Sequence, residues 1–427
     1  MAQPARRIAF VVPEWTTTED DPGPQALVTE RICAALLDVG WQPEVFTPSD
    51  EPGTVDEDGI VVHGVRRGTA PPGMAGAEWI ERVVDKSILA AALRKATNTK
   101  NLMASTRMKD RRAFFALEAQ ARTLGDAVEA RQQEAPFQAA ISTEEGFVGL
   151  HVPSRRSRPH IVRLTSWPHE WAAADEDTSV GRRRLVASQM KVIDQAQALY
   201  ATCAVVADKV SESTGKVVPV VRAPAPITPQ TGERRKGLPR RFLASCGTLD
   251  RRHGAETLAA ALPLAWRTAP DLQVVLAGDV DPERMAEWQA TWGDDAEKVT
   301  FVEDVGGGDL VAIAARAVAL VVPALADDVD EMAQHALAVG VPVIATRGGG
   351  TAELVEPGVT GSVVPTGAPA KLADALAAAW TGRWGVPDRV RWSGPVRDAM
   401  EPVVAANALL AFIAQVRDDW TEPAPQG

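Results

Sequence analysis

The feature that most constrains the fold of this 427-residue chain is an alternation of short apolar runs with helical segments, which occurs twice. Short apolar runs suit strands buried in a parallel sheet, and apolar residues at helical spacing suit the helices that cover it. In the first half the predicted strands are residues 7–12, 44–47, 138–142, 160–164 and 199–203. In the second half they are residues 242–246, 273–277, 299–302, 319–322 and 341–346. Such βα units predict doubly wound sheets with right-handed crossovers.

A segment rich in proline and charge, residues 222–237, separates the two runs and is typical of a domain boundary. The sequence therefore predicts an N-terminal Rossmann-like domain over residues 1–225 and a second one over residues 239–385. Residues 386–427 are expected to form a helical tail that can cross back to the first domain. The predicted fold class is α/β, with two facing doubly wound parallel sheets. Ligands of such sheets bind beyond the carboxyl ends of the strands, so a cleft between the domains is the expected site.

Composition excludes several kinds of partner. The chain has 45 Lys and Arg against 56 Asp and Glu, a formal net charge of −11, and no long basic run, which argues against nucleic acid or an anionic membrane. No stretch approaches 18 consecutive apolar residues, and the apolar run at 8–12 is too short for a signal peptide. Cys33, Cys203 and Cys246 form no metal or redox spacing, which favours buried reduced thiols. A cytoplasmic protein is expected.

Motifs for metal or covalent chemistry are missing from the sequence. It contains no P-loop, no GxSxG nucleophile elbow and no HExxH zinc motif. The pair Asp279 and Asp281 has the spacing of a cation-binding D-x-D motif, but it lies in a turn directly after a predicted strand. The turn interpretation is favoured, and neither a metal nor a bound cofactor is predicted.

The most specific segment of the sequence is GVPVIATRGGGTAELVEPGVTG, residues 340–361. A buried strand there runs into three glycines, Gly348, Gly349 and Gly350, and a helix is expected to begin near Thr351. Glycines let backbone N–H groups approach an anion closely, and a helix N-terminus favours negative charge. A tight turn that binds nothing is the alternative. The segment closely resembles the C-terminal domain of the GT4 family of retaining glycosyltransferases, which have the GT-B fold.

The resemblance extends upstream to CGTLDRRHG, residues 246–254. Three positions match the family pattern there: Gly247, Leu249 and Gly254. The family's arginine and lysine, which grip the donor diphosphate, are replaced by Thr248 and His253. Arg251 and Arg252 can supply the positive charge that a diphosphate needs, although a solvated arginine pair is the alternative.

The acidic signature of the family is also altered. Counting back from Gly340, its second glutamate falls on His335 and its first on Asp327. The resemblance implies that His335 faces the nucleotide ribose and that Asp327 contacts the donor sugar. A structural helix histidine is the alternative for His335.

The first half resembles the family more faintly. Gly23 falls where the family has a glycine loop that opens the first helix, and Thr165 falls on a histidine position at a strand end. The resemblance implies that Gly23, Thr165 and, four residues further on, His169 hold the acceptor. Tryptophans at strand ends can stack on an acceptor or simply pack in the core. They are Trp15, Trp167 and Trp171.

The resemblance implies transfer of a sugar, with retention, from a nucleoside diphosphate donor of UDP or GDP type to a small-molecule acceptor. Such transfer needs no metal, because the departing diphosphate helps to deprotonate the acceptor. Relatives in antibiotic and low-molecular-weight thiol pathways favour specialised metabolism. A homodimer is left open. The alternative is an inactive relative that binds a sugar nucleotide or partners an active transferase, since five donor-site and acceptor-site positions have changed.

Overall fold

The computed structural model describes residues 6–16, 24–68, 100–170, 180–225, 237–326, 328–387, 391 and 394–420. The chain divides into two compact units. The first unit comprises Met1–Arg163, Glu176–Leu199 and Ala411–Gly427, and the second comprises Leu164–Asp175 and Tyr200–Leu410. One sheet has seven strands and the other has six, and all pairings but one are parallel among those described.

The seven-stranded sheet has the order β3-β4-β2-β1-β5-β6-β7. Its strands are β1 Arg7–Val11, β2 Gln42–Ser49, β3 Gly53–Glu57, β4 Ile60–Arg66, β5 Ala139–Thr143, β6 His160–Leu164 and β7 Ala198–Ala201. Strand β3 pairs antiparallel with β4 at the edge. Without it, the order is that of a Rossmann sheet, with the central strand β1 paired to both β2 and β5.

Four described α-helices occur in the first half, and the first two contact strands of this sheet. They are α1 Pro24–Asp38, α2 Lys100–Glu134, α3 Val180–Gln195 and α4 Ala204–Thr214. One core cluster of the first unit joins Ala9 and Val11 of β1 to Leu124 and Val128 of α2. Strand β1 is buried along almost its whole length because helices cover parallel sheets on both faces.

The six-stranded sheet has the order β10-β9-β8-β11-β12-β13, which is the Rossmann order around β8. Its strands are β8 Leu243–Cys246, β9 Val274–Ala277, β10 Val299–Val302, β11 Leu320–Val322, β12 Val343–Thr346 and β13 Gly361–Val364. Its helices are α5 Ala255–Trp266, α6 Pro282–Trp292, α7 Gly307–Ala314, α8 Glu331–Ala338 and α9 Pro369–Trp380. Successive strand residues belong to two different core clusters, since side chains alternate between the faces of a sheet.

The structure confirms the predicted α/β class and the strand positions in both halves. Sequence reasoning missed the β3–β4 hairpin, helix α6 and strand β13. The tail contains two helices, α10 Gly394–Met400 and α11 Pro402–Asp418. None of the helices that the structure describes is both long and apolar enough to cross a membrane. The described cysteines are free thiols, as expected, and Cys33 and Cys203 are buried.

The helix expected to begin near Thr351 is short. The chain forms only a five-residue 3₁₀ helix there, Gly350–Leu354. Pro357 explains the short length, because proline disfavours helical backbone at the preceding residue, Glu356. The favourable field of a full helix N-terminus is therefore not available at the glycine triplet.

Candidate functional site

Three loops of the second unit meet beyond the carboxyl ends of β8, β11 and β12. In the Rossmann order the chain direction of the crossovers reverses between β8 and β11, and the crevice there is the usual ligand site. The loops are residues 247–254 after β8, residues 323–330 after β11 and residues 347–350 after β12. Sheet topology therefore brings together segments that are separated by up to a hundred residues in the chain.

Glycines hold the first two loops together. Gly254 precedes helix α5 with φ of +79°, a left-handed conformation that favours glycine. A Cβ atom on Gly254 would collide with the backbone carbonyl of Pro323. Beside this contact, the Leu325 N–H donates to the carbonyl of Arg252 at 2.8 Å. Only a glycine at position 254 lets the two loops approach this closely.

The third loop packs against the second in the same way. A Cβ atom on Gly348 would collide with the carbonyl of Leu325. The Asp330 N–H donates to the hydroxyl of Thr351 at 2.8 Å, and the Asp330 carboxylate in turn caps helix α8. The glycine triplet and the loop after β11 thus form one backbone-lined surface.

The residues predicted to surround a diphosphate lie on or beside this surface. Gly247, Arg252 and His253 are half-buried, whereas Thr248 and Arg251 are exposed. His253 Nδ1 lies 2.7 Å from Asp250 Oδ1, and the His253 N–H donates to the same oxygen at 2.8 Å. Although burial opposes ionisation of Asp250, these hydrogen bonds hold the pKa of its carboxyl below the usual value. His253 therefore has a local partner in the ligand-free chain.

The last two triplet glycines and Thr351 are buried. A Cβ atom on Gly350 would collide with the side chain of Cys203. Burial, the largest effect, together with Asp328 raises the pKa of the Cys203 thiol, so this cysteine is a packing residue and not a nucleophile.

The two altered acidic positions are Asp327 and His335. Asp327 lies outside the described residues, as do Gly23 and Trp171. His335 lies on α8 with its Nε2 atom 3.6 Å from Glu331 Oε1, and its side chain is largely buried. The Nδ1 atom of His335 has no hydrogen-bond partner among the described residues. A buried nitrogen of this kind is costly unless a ligand or water pairs with it.

The predicted acceptor residues lie just after β6. Thr165 is buried, and His169 is exposed with its ring 5.1 Å from that of Trp167. A small cavity of about 10 Å³ lies between this segment, helix α4 and the loops after β11 and β12. Its described lining residues are Ser166, Trp167, Glu170, Val205, Val206, Lys209, Ala326 and Gly348. The segment after β6 and Gly348 thus line the same cavity, and His169 is not among its described lining residues.

Sequence reasoning missed a set of polar residues that fix α4 to these loops. The Glu353 carboxylate accepts a hydrogen bond from the Val205 N–H at 3.0 Å and pairs with Arg222 at 2.9 Å. The Thr202 hydroxyl donates to the carboxylate of Asp328. One signal was available, because Glu353 occupies the glutamate position of the family's GG-x-x-E pattern. Lys209 and Glu170 carry no such signal and are found only from the fold.

Two other candidates have structural roles. Asp281 caps helix α6 by accepting from the Glu283 N–H, which agrees with the turn interpretation, and no group of metal-binding side chains occurs among the described residues. Trp15 is fully buried, and its indole N–H donates to Glu57 at 2.8 Å. Packing, and not stacking on an acceptor, therefore accounts for Trp15.

Comparison with known proteins gives a class for this architecture. Residues 240–382, which span all three loops, match the family described as glycosyl transferases group 1. No curated protein matches the chain. The matched residues lie within the second unit.

Solved structures show the same fold along nearly the whole chain. Sucrose-phosphate synthase from Thermosynechococcus elongatus is 18% identical with a TM-score of 0.60, and the match covers 96% of each chain. HepE of Anabaena in complex with UDP-glucose is 15% identical with a TM-score of 0.62, covering 96% of this chain and 99% of that one. AviGT4, a glycosyltransferase involved in avilamycin A biosynthesis, is 17% identical with a TM-score of 0.54, covering 98% and 99%. The chain has the GT-B fold of these glycosyltransferases.

Proposed function

We propose that the chain is a glycosyltransferase that takes a sugar from a nucleoside diphosphate and transfers it to a small-molecule acceptor. One observation carries the proposal. The family match at residues 240–382 coincides with the three loops that glycine packing brings together beside β8 and β11. Family and geometry thus point to the same edge of the same sheet.

The diphosphate is assigned to the surface of Gly247, Thr248, Arg251 and the glycine triplet. Backbone amides of glycine loops approach phosphate oxygens closely, and the N-terminus of α5 adds a favourable field. Arg251 is exposed on this loop and can reach a phosphate with its five donors. Arg252 and His253 are assigned to the same ligand.

The remaining roles follow the order of the loops. His335 is assigned to the ribose, because its buried Nδ1 atom can pair with a hydroxyl. Asp327 is assigned to the donor sugar. Thr165 and His169, after β6, and Gly23, before α1, are assigned to the acceptor. HepE was solved with UDP and with UDP-glucose, and a starch synthase of the same fold was solved with ADP, which supports a nucleoside diphosphate.

For the reaction we propose retention by substitution on one face of the sugar. The bond from the anomeric carbon to the diphosphate breaks, the nucleophilic acceptor atom (O, N or S) bonds to that carbon, and the acceptor proton passes to the departing phosphate. The protein then acts by positioning the reactants and by stabilising the charge on the leaving group. The likeness to AviGT4 supports specialised metabolism as the setting. A metal-independent site, a cytoplasmic location and a homodimer stay predictions.

The first test is thermal unfolding with UDP, GDP, ADP and dTDP, each with and without EDTA. A ligand that binds only the folded state raises the melting temperature. At a hundred times its Kd it stabilises that state by about 2.7 kcal/mol. One nucleotide is expected to shift the transition, and EDTA is expected to leave the shift unchanged. No shift from any of the four at millimolar concentration would contradict a nucleotide site.

A second candidate, a sugar-nucleotide-binding protein without transferase activity, is favoured by one observation. His253 stands at a position where the family has a lysine, and it is held by Asp250. Slow hydrolysis of the bound nucleotide sugar, followed by release of the nucleoside diphosphate, separates the two candidates. A transferase releases the diphosphate even without its acceptor, whereas a binding protein shows the thermal shift alone.

A further inference from the structure

The small cavity beside Gly348 contains one ion pair. The ammonium of Lys209, on α4, contacts the carboxylate of Glu170, which follows β6. Among the described lining residues Lys209 is the only cation and Glu170 is the only anion. Gly348, in the loop after β12, and Ala326, in the loop after β11, line the same cavity. A positive charge therefore lies at the edge of the proposed diphosphate surface, on an element that sequence reasoning did not assign to it.

The position of Lys209 is fixed while its partner is exchangeable. Helix α4 is held at its first turn by Glu353, which accepts from the Val205 N–H, and Lys209 lies one turn further on. The Lys209 and Glu170 side chains are 31% and 34% exposed. A pair that is this exposed is screened by water and holds its partners weakly.

The cavity is too small for a phosphate while the pair is intact. Its volume of about 10 Å³ is at the limit for one water molecule. A ligand group can therefore enter only if the Lys209 side chain moves. A dianionic terminal phosphate offers more acceptor oxygens and more charge than one carboxylate, so it competes well for the ammonium.

We propose that Lys209 is a ligand-binding residue that exchanges Glu170 for the terminal phosphate of the nucleoside diphosphate, so that Glu170 occupies the phosphate position in the ligand-free protein. The inference rests on the proposed function. It supplies the cation that Thr248 and His253 do not provide, because a threonine carries no charge and the histidine is bound to Asp250. After transfer, the same ammonium stabilises the negative charge of the released diphosphate.

The test compares UDP with UMP by isothermal titration calorimetry on the full chain, using Lys209→Met, Glu170→Gln and the control Lys371→Met. Lys371 lies on the exposed side of α9 and pairs with Asp374 at 3.9 Å, so it matches the lost charge outside the site. Lys209→Met is expected to weaken UDP about 10- to 100-fold and to leave UMP unchanged, since UMP lacks the terminal phosphate. Glu170→Gln is expected to tighten UDP several-fold. The control is expected to match the wild type.

Three outcomes would overturn the proposal. Unchanged UDP affinity in Lys209→Met would show that Lys209 does not contact the phosphate. An equal loss of affinity for UDP and UMP would show that its role is purely structural. Weaker UDP binding in Glu170→Gln would show that the carboxylate does not compete with the ligand. If the wild type binds none of UDP, GDP, ADP and dTDP, the proposed function fails together with this inference. If the wild type binds and Lys209→Met equals it, only this inference fails.

Discussion

The two sheets share one strand order around their central strands, but their carboxyl edges are built differently. At the ends of β1 and β5 the edge is filled by large or polar side chains that are buried, namely Trp15, Thr143 and Glu144. After β8 the edge carries Gly247, which is half-buried, and Thr248, which is exposed. Topology creates a crevice at the reversal point in both sheets, and the size of the following side chains decides whether it stays open.

The difference has a local cause. The hairpin β3–β4, which extends the first sheet, supplies Glu57 as the partner of the Trp15 indole. The loops of the second sheet instead contact each other at glycines, where the missing side chains let the backbones approach closely. The comparison implies that changes at the first edge affect stability, whereas changes at the second affect ligand binding or loop packing.

The largest expected effect is at Trp15. Trp15→Ala removes a fully buried indole and the hydrogen bond to Glu57, so the free energy of unfolding of the first unit is expected to fall by about 3–5 kcal/mol. Urea denaturation followed by circular dichroism measures the loss, with Trp15→Phe as the milder companion. Loss of nucleotide binding at unchanged stability would instead place Trp15 in a ligand site.

The next effect is at Gly254. Gly254→Ala places a methyl group against the Pro323 carbonyl and strains a residue with φ of +79°, at an expected cost of about 2–4 kcal/mol. Gly358→Ala is the matched control, because its φ is +80° and a Cβ atom there meets nothing within 4 Å. The control is expected to cost about 1–2 kcal/mol by strain alone. Equal destabilisation of both variants would show that the loop contact is unimportant.

A smaller effect is the pH dependence of stability that arises from His160, below the first edge. Burial, followed by the charge of Arg158, lowers the pKa of His160 from 6.5 to about 3, and the ring pairs with Ser142 beneath the first edge. The folded state keeps His160 neutral while the unfolded state gains a proton, so this stability is fully present above pH 6.5 and falls as the pH drops towards 3. The expected slope is about 1.4 kcal/mol per pH unit.

His160→Asn tests that slope between pH 6.5 and 4.5. Glu44 does not interfere in this window, because hydrogen bonds from His63 and Arg131 outweigh burial and lower its pKa from 4.5 to about 2. The variant is expected to lose less stability on acidification than the wild type, although it is less stable at neutral pH. An unchanged slope would show that His160 is protonated in the folded state.

The smallest effect on stability is expected at the second edge. Thr248 is exposed, so Thr248→Trp is expected to change the free energy of unfolding by no more than about 0.5 kcal/mol. The indole nevertheless fills the crevice, and the thermal shift by nucleotide is expected to disappear. Thr291→Trp, at an exposed position of helix α6, is the control and is expected to keep the shift. A normal shift in Thr248→Trp would contradict the assigned diphosphate surface.

Much of the fold could be predicted because apolar periodicity is a local property of the sequence. Strands β1, β6 and β10 lie within one residue of their predicted bounds. The helix expected to begin near Thr351 is a 3₁₀ helix of five residues, Gly350–Leu354, because Pro357 limits its length. Helix α6 was missed because Asp281 was interpreted as part of a turn and not as the cap of a following helix.

The candidate site divides in the same way. The family resemblance pointed to Gly247 and Gly254, and the glycine triplet was recognisable because three consecutive glycines permit close backbone approach. The sequence alone also determined the two βα runs and the family resemblance of residues 340–361. Only the tertiary structure decided which sheet edge is filled by side chains. It alone also decided that Lys209 contacts Glu170 beside Gly348. The reason is that these contacts join residues far apart in the chain, and strand order, not local periodicity, determines which of them become neighbours.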